Sequence, residues 1–156
     1  MASIKYDVGT LSTLIDQTGA APNTLASLAA SAGAITANPV DNTPATRGDF
    51  WADFELNITY AVAPTANKTI DFYLMESADG TNYADGSGGA SPVTTAAHFI
   101  GSVPVRAVAT GQRITLRGVP LPPTKFNIMV VNSGDQALAT SATAQTLKIL
   151  PYREQY

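Results

Sequence analysis

Residues 51–62 read WADFELNITYAV, with Ala52, Phe54, Leu56, Ile58, Tyr60 and Val62 alternating with Asp53, Glu55, Asn57 and Thr59. A period of two is the signature of a strand with one face buried, and a helix cannot gather those apolar residues on one stripe. The segment therefore requires a sheet with something packed against it. Residues 69–77, TIDFYLMES, repeat the pattern with Ile70, Phe72 and Leu74 inward and Asp71 and Tyr73 outward. The Pro/Asn connection APTANK between the two runs predicts a β-hairpin. Trp51, which opens the first strand, and Tyr60, on its apolar face, are expected to pack in the core.

Further strands are read in HFIGSVPVRAV, in QRITLRGV with Ile114 and Leu116 inward, in KFNIMVV with Phe126, Ile128 and Val130 inward, and in QTLKILPY. Proline cannot donate to a ladder, so Pro104 predicts an edge strand or a break. Many short strands and no long helical pattern predict an all-β protein, a jelly-roll-like β-sandwich with an extended N-terminal arm. Immunoglobulin-like topology is the other arrangement, here without its cysteine pair.

The composition changes near Gly48. Residues 1–48 are rich in Ala, Thr, Ser, Asn and Gly and hold no large aromatic except Tyr6. They are read as an N-terminal arm and loops, and residues 49–156 as the sandwich domain. Within the arm, TLSTLIDQ offers a short turn or strand through Leu11, Leu14 and Ile15, and LASLAASAGAIT fits an Ala-rich helix or, preferably, extended structure. The arm is too apolar for ordinary disorder, so its own sheet or a partner must cover it. Deleting residues 2–40 is expected to leave a folded sandwich.

At 156 residues the chain suits one domain with its own core. With no cysteine it has neither a disulfide framework nor a thiolate metal site. Charged residues make up 13% and the net charge is −3, so no basic footprint for nucleic acid is present. Weak self-repulsion favours association, a property of packed assemblies. The N-terminus has neither an export-signal pattern nor the ~20 apolar residues of a membrane span. The two N-x-T tripeptides at Asn57 and Asn67 are read as chance matches.

Chemistry-bearing patterns are sparse. His98 is the one histidine and no G-x-S-x-G elbow accompanies it, so it is read as a surface residue. Asp53 and Glu55 share a strand face at about 7 Å, the carboxylate spacing of some glycosidases, but any polar strand face shows it. Phosphate-loop and dinucleotide fingerprints are missing, so no cofactor, catalytic or metal residue is assigned. ESADGTNYADG, residues 76–86, sets Asp79, Asn82 and Asp85 around two glycines. It lacks the spacing and helical flanks of an EF-hand and is read as turn chemistry running on into a mobile loop, GSGGASP. Trp51, Tyr60, Tyr73, Tyr83, Tyr152 and Tyr156 supply enough aromatics for a sugar-stacking platform, although no cluster in the sequence is tight enough to prefer it.

Several spaced elements occur in a familiar order: Asp41-Asn42 in VDNTPA, the run DFYLMESADGTNYADG, FIGSVPV, and VPLPPTKFNIMVVNSG with Pro120 to Phe126, Asn132 and Gly134. In this order, over roughly residues 35–152, the chain resembles a family of small virion proteins of tailed bacteriophages, of the head decoration or capsid cement type. The resemblance implies a jelly-roll protein on the outer surface of the head, made in the host cytoplasm, that locks capsomers together. Its partners would be the major capsid protein and further copies of itself, as a dimer or trimer, with no nucleic acid and no membrane. A carbohydrate-binding module and a tail or neck component are the alternatives. Residues nominated for interfaces are Tyr6, Leu11, Leu14, Ile15, Tyr73, Tyr83, Tyr152 and Tyr156.

Overall fold

The computed structural model describes residues 5–94 and 97–155, and all of them are strand, bridge, turn or loop. Ten strands lie among these residues: β1 Lys5–Val8, β2 Ser12–Asp16, β3 Gly33–Ile35, β4 Val40–Asp41, β5 Trp51–Ile58, β6 Thr69–Ser77, β7 His98–Pro104, β8 Gln112–Pro120, β9 Lys125–Asn132 and β10 Thr146–Gln155. One sheet runs β1-β10-β5-β8 with β2 also on β10, and the other runs β3-β9-β6-β7 with β4 also on β9. β1 and β2 occupy successive stretches of one side of β10, as β3 and β4 do on β9. Counted as one position each, they leave eight positions that pair first with eighth, second with seventh, third with sixth and fourth with fifth. The chain is thus one long antiparallel hairpin folded into two facing sheets, an all-β sandwich.

The period-two pattern becomes the core. Phe54, Leu56 and Ile58 of β5 and Leu147 and Ile149 of β10 bury against Ile70, Phe72 and Leu74 of β6 and Phe126, Ile128 and Val130 of β9. β5 and β6 are not a hairpin, however: they lie in opposite sheets. Two half-buried strands can cover their apolar faces side by side or face to face, and alternation does not distinguish the two. The chain leaves the first sheet after Ile58, where Tyr60 bridges Leu138, so Tyr60 is buried while Val62, beyond the strand, is 60% exposed. Pro104 closes β7, which is the edge of its sheet, as its missing N–H requires.

Residues 5–48 do not form an arm beside the sandwich. They supply four of its strands, and Ile15, Leu25, Leu28, Ala32 and Ala34 are part of the main core. Small side chains let this segment lie close to its neighbours: a Cβ on Gly33 would stand 2.8 Å from Pro92. LASLAASAGAIT is turns followed by β3 rather than a helix.

Pro151 lies inside β10, a central strand, where it is tolerated because its outer neighbour is interrupted there. β1 ends at Val8, opposite Tyr152, and β2 begins at Ser12, opposite Ile149. Gly9 fits against the ring, since a Cβ there would meet Pro151 Cγ at 2.9 Å.

Two buried asparagines tie the early residues to the late ones. Asn132 Nδ2 donates to the carbonyls of Leu28 (3.2 Å), Ala29 (3.2 Å) and Gln136 (2.9 Å), while its Oδ1 accepts from Tyr60 Oη (3.3 Å) and Gly134 N (3.1 Å). Asn42 Nδ2 donates to the carbonyls of Asp49 (2.8 Å) and Pro122 (2.7 Å), and its Oδ1 accepts from Asp49 N (2.8 Å). Beside it, the buried Asp49 carboxylate accepts from Arg47 Nε (2.6 Å), and Asp7 accepts from Arg153 Nε (3.0 Å). Burial makes such groups costly to leave unpaired.

Two outcomes follow. Deletion of residues 2–40 removes β1, β2, β3 and five core side chains, so the remainder should show no cooperative thermal transition in scanning calorimetry. Asn132→Ala strands several buried groups and should cost on the order of 3 kcal/mol. That corresponds to a fall in melting temperature of roughly 6–12 °C for a chain of this size.

Candidate functional site: an aromatic face on the outer side of one sheet

The outer faces of the two sheets differ. Over the β3-β9-β6-β7 sheet, Met75, Met129 and Val131 form a second small core under Tyr73, Ala84, Ala97 and Ile35. The cover is the long connection after β6, which begins with the ESADGTNYADG stretch. Asp79 Oδ1 accepts from Ser77 Oγ (3.1 Å), Thr81 N (2.8 Å) and Asn82 N (2.7 Å), and Oδ2 accepts from Asn82 Nδ2 (2.7 Å). These bonds, led by the Asn82 and Thr81 amides, hold the carboxyl well below its ordinary pKa. Both oxygens are therefore used by the turn itself, and Gly80 takes the left-handed conformation that the turn requires (φ +74°). Gly86 lies on the Met75 thioether, where a Cβ would come within 2.1 Å of the sulfur. The following residues are docked rather than mobile, since Gly33 and Gly89 exchange two backbone hydrogen bonds (2.9 and 2.6 Å).

The outer face of the β1-β10-β5-β8 sheet has no such cover among the described residues. Register places Val8, Tyr152, Trp51 and Pro120 in one row across all four strands. Tyr6 and Leu150, two positions along from Val8 and Tyr152, share that face. Tyr6 packs edge-on against Tyr152, with ring centroids 6.0 Å apart and an interplanar angle of 83°. Asp53, next on the outer face after Trp51, accepts from Gly118 N at 2.9 Å and lies near the Tyr152 hydroxyl. Burial, together with the nearby Asp53 charge, raises the Tyr152 pKa. Further along, Glu55 pairs with Arg113 and accepts from Asn57 Nδ2. The Arg113 bond is the main reason its pKa is lowered, which sets it against a role as a proton donor at neutral pH. Asn57, Gln112, Arg113, Thr146 and Lys148 line a shallow groove of about 470 Å³ at that end.

The nominated interface residues separate. Tyr6 and Leu11 are exposed, at 59% and 46%. Tyr152 is half-buried beside Tyr6, and Tyr73 and Tyr83 are half-buried at the other sheet, Tyr73 edge-on to exposed Phe99 at 5.5 Å. Leu14 is half-buried against the core, and Ile15, at 2% exposure, is a core residue rather than an interface one. Tyr156 lies outside the described residues. Trp51 corrects the core expectation, because it is 38% exposed. Its parity with Asp53, Glu55 and Asn57 already places it outward. Phe50 and Val8 were not nominated; nothing local in the sequence distinguishes an apolar side chain at the sandwich rim from one in the core. His98 is exposed at the start of β7.

No protein-family model matches this chain, and no curated protein matches it.

A pH titration tests the turn. The Asp79 pKa is lowered on folding, so the stability it contributes is present above the unfolded carboxylate pKa of about 4. It is lost progressively as pH falls further, toward the lower folded value. The melting-temperature gap between wild type and Asp79→Ala should therefore be constant from about pH 7 to pH 5 and narrow below about pH 4; a gap that widens with acid would contradict the assignment.

Proposed function

We propose that this chain is a structural protein of a tailed-bacteriophage virion, a cement or decoration protein on the outer surface of the head that contacts the major capsid protein and stabilises capsomer joints. The observation that carries this reading is the exposed aromatic and aliphatic surface around Tyr6, Val8 and Trp51 on the outer face of one sheet, which no other segment covers among the described residues, whereas the connection after β6 lies over much of the other. Contiguous exposed apolar area on an otherwise polar domain marks a macromolecular contact, and Trp and Tyr are the side chains that anchor such contacts. The order of sequence elements shared with small virion proteins supports the same reading. Those elements build the fold: Asn42 and Asn132 are its buried polar hubs, and the Asp79 turn starts the cover of the second sheet.

The mechanism is binding alone. Many symmetry-related copies, each making a modest contact, accumulate strength through avidity on a lattice. The low charge of the chain limits repulsion between neighbouring copies, and a dimer or trimer suits the symmetry axes of a shell.

A carbohydrate-binding module is the second reading, drawn from the same cluster of Tyr6, Trp51 and Tyr152. Its weakness is geometric, because Tyr6 and Tyr152 stand nearly perpendicular and give a pyranose no common stacking plane.

Quantitative mass spectrometry of purified virions tests the proposal. The expected result is a copy number equal to that of the major capsid protein or to a simple fraction of it. A few copies per particle would move the chain to the tail or neck. Absence from particles, with binding on a glycan array, would replace the proposal by the carbohydrate module.

A further inference from the structure

Five of the eight exposed large apolar side chains among the described residues, Tyr6, Val8, Leu11, Phe50 and Trp51, lie on β1, just after it, or at the start of β5. β1 is also an outer strand, paired with β10 and with no strand on its other side among the described residues. The direction of its free backbone groups follows from one bond. Gly9, which continues the register to stand opposite Pro151, donates its N–H to the Pro151 carbonyl at 2.7 Å. In an antiparallel ladder every second residue bonds to the same neighbour. Odd-numbered residues of β1 therefore turn their backbone groups toward β10, and Tyr6 and Val8 turn theirs outward.

Two other outer strands, β8 and β7, are interrupted in ways that β1 is not. β8 carries Arg113 and Arg117, a left-handed Gly118 (φ +64°) and a terminal Pro120. β7 has an irregularity in its pairing with β6 at Phe72/Tyr73 and ends in Pro104. Irregular register and proline are among the usual protections of a sheet edge. Lys-Tyr-Asp-Val of β1 contains no proline and no irregularity in its pairing with β10.

We propose that the chain forms a two-fold symmetric dimer through β1, which pairs antiparallel with β1 of a second copy about Tyr6 and joins two five-stranded sheets into one. Opposed residues must share a face, and bonded ones must point their backbone groups at each other. Tyr6 against Tyr6 satisfies both conditions, and each copy's N–H and C=O meet the other's. The same register sets Lys5 against Asp7 of the second copy, and it does so twice. Opposite charges directly across a ladder are stabilising and like charges are not. A two-fold axis at Lys5 or Asp7 would bring together backbone groups that point away from one another. Asp7 is already oriented by Arg153 at 3.0 Å. The Tyr6–Tyr152 pairs of the two copies become neighbours across the joint.

This dimer narrows the oligomer included in the proposed function and rests on that reading only for its biological setting. Sedimentation equilibrium over a range of protein concentrations should give twice the 16.2 kDa chain mass. Tyr6→Lys places like charges on the axis, and Lys5→Glu places an acid against Asp7. Each should weaken the dimer on the order of tenfold or more while leaving the melting transition of the fold in place. Phe99→Lys, on the other sheet, should leave the mass unchanged. A wild-type monomer at every concentration, a trimer, or a dimer indifferent to both β1 variants would overturn the proposal. Monomers that nonetheless coat heads would overturn the dimer and leave the cement reading standing; a dimer that is absent from virions would do the reverse.

Discussion

Burial of one aromatic layer, Phe54 from one sheet against Phe72 and Phe126 from the other, is the constraint on which the remaining architecture depends. Each ring is essentially inaccessible, and removing one from such a layer costs roughly 3–5 kcal/mol, a large share of the stability of a domain. Because side chains alternate along a strand, committing these three rings inward fixes which residues of β5, β6 and β9 face solvent. A one-residue slip would exchange the two sets. Register is thus determined by packing, and the row Val8, Tyr152, Trp51 and Pro120 is a consequence on the opposite surface.

What could be read from the sequence divides along the same line. β6 and β9, which open on alternation and have turn residues at both ends, were legible nearly to the residue, and so were the turn at Asp79 and the edge position of β7. The partners of β5 were not, because alternation reports that one face is buried and is silent on what buries it. Residues 5–48 were misread for a related reason. Half of their hydrophobic residues are Ala, which gives a weak periodic signal, and their places are set by glycine contacts and by carbonyls bound to Asn132, over a hundred residues away. Trp51 was legible and was misassigned: its size argued for the core, while its parity with Asp53 placed it outside. Leu14 and Ile15 show the converse, since neighbours in sequence on a strand face opposite sides of the sheet, and only Ile15 is fully inside.

The sandwich also treats its two outer surfaces unequally. The connection after β6 folds over Met75, Met129 and Val131 and gives that sheet a second apolar layer, which explains why Met75 and Leu74, adjacent in sequence, are both buried. With that face occupied by the chain itself, the opposite sheet is left to carry apolar side chains into solvent. Its carboxylates are engaged within the sheet, Glu55 with Arg113 and Asp53 with the Gly118 amide. Such internal pairing leaves few charges to be desolvated when a partner covers the row.

That economy bears on what the face can bind. Ordering of side chains and loops is a principal cost of association. Here the rings stand on strands, Tyr152 is half-buried and Tyr6 leans on it edge-on, so part of their rotamer freedom is already lost. A surface arranged in this way favours a fixed, shape-matched partner over a flexible one. For a repeated contact in a lattice, where each copy must present the same surface at the same angle, rigidity of presentation matters more than the strength of any single site, because strength accumulates with copy number and misalignment accumulates with it.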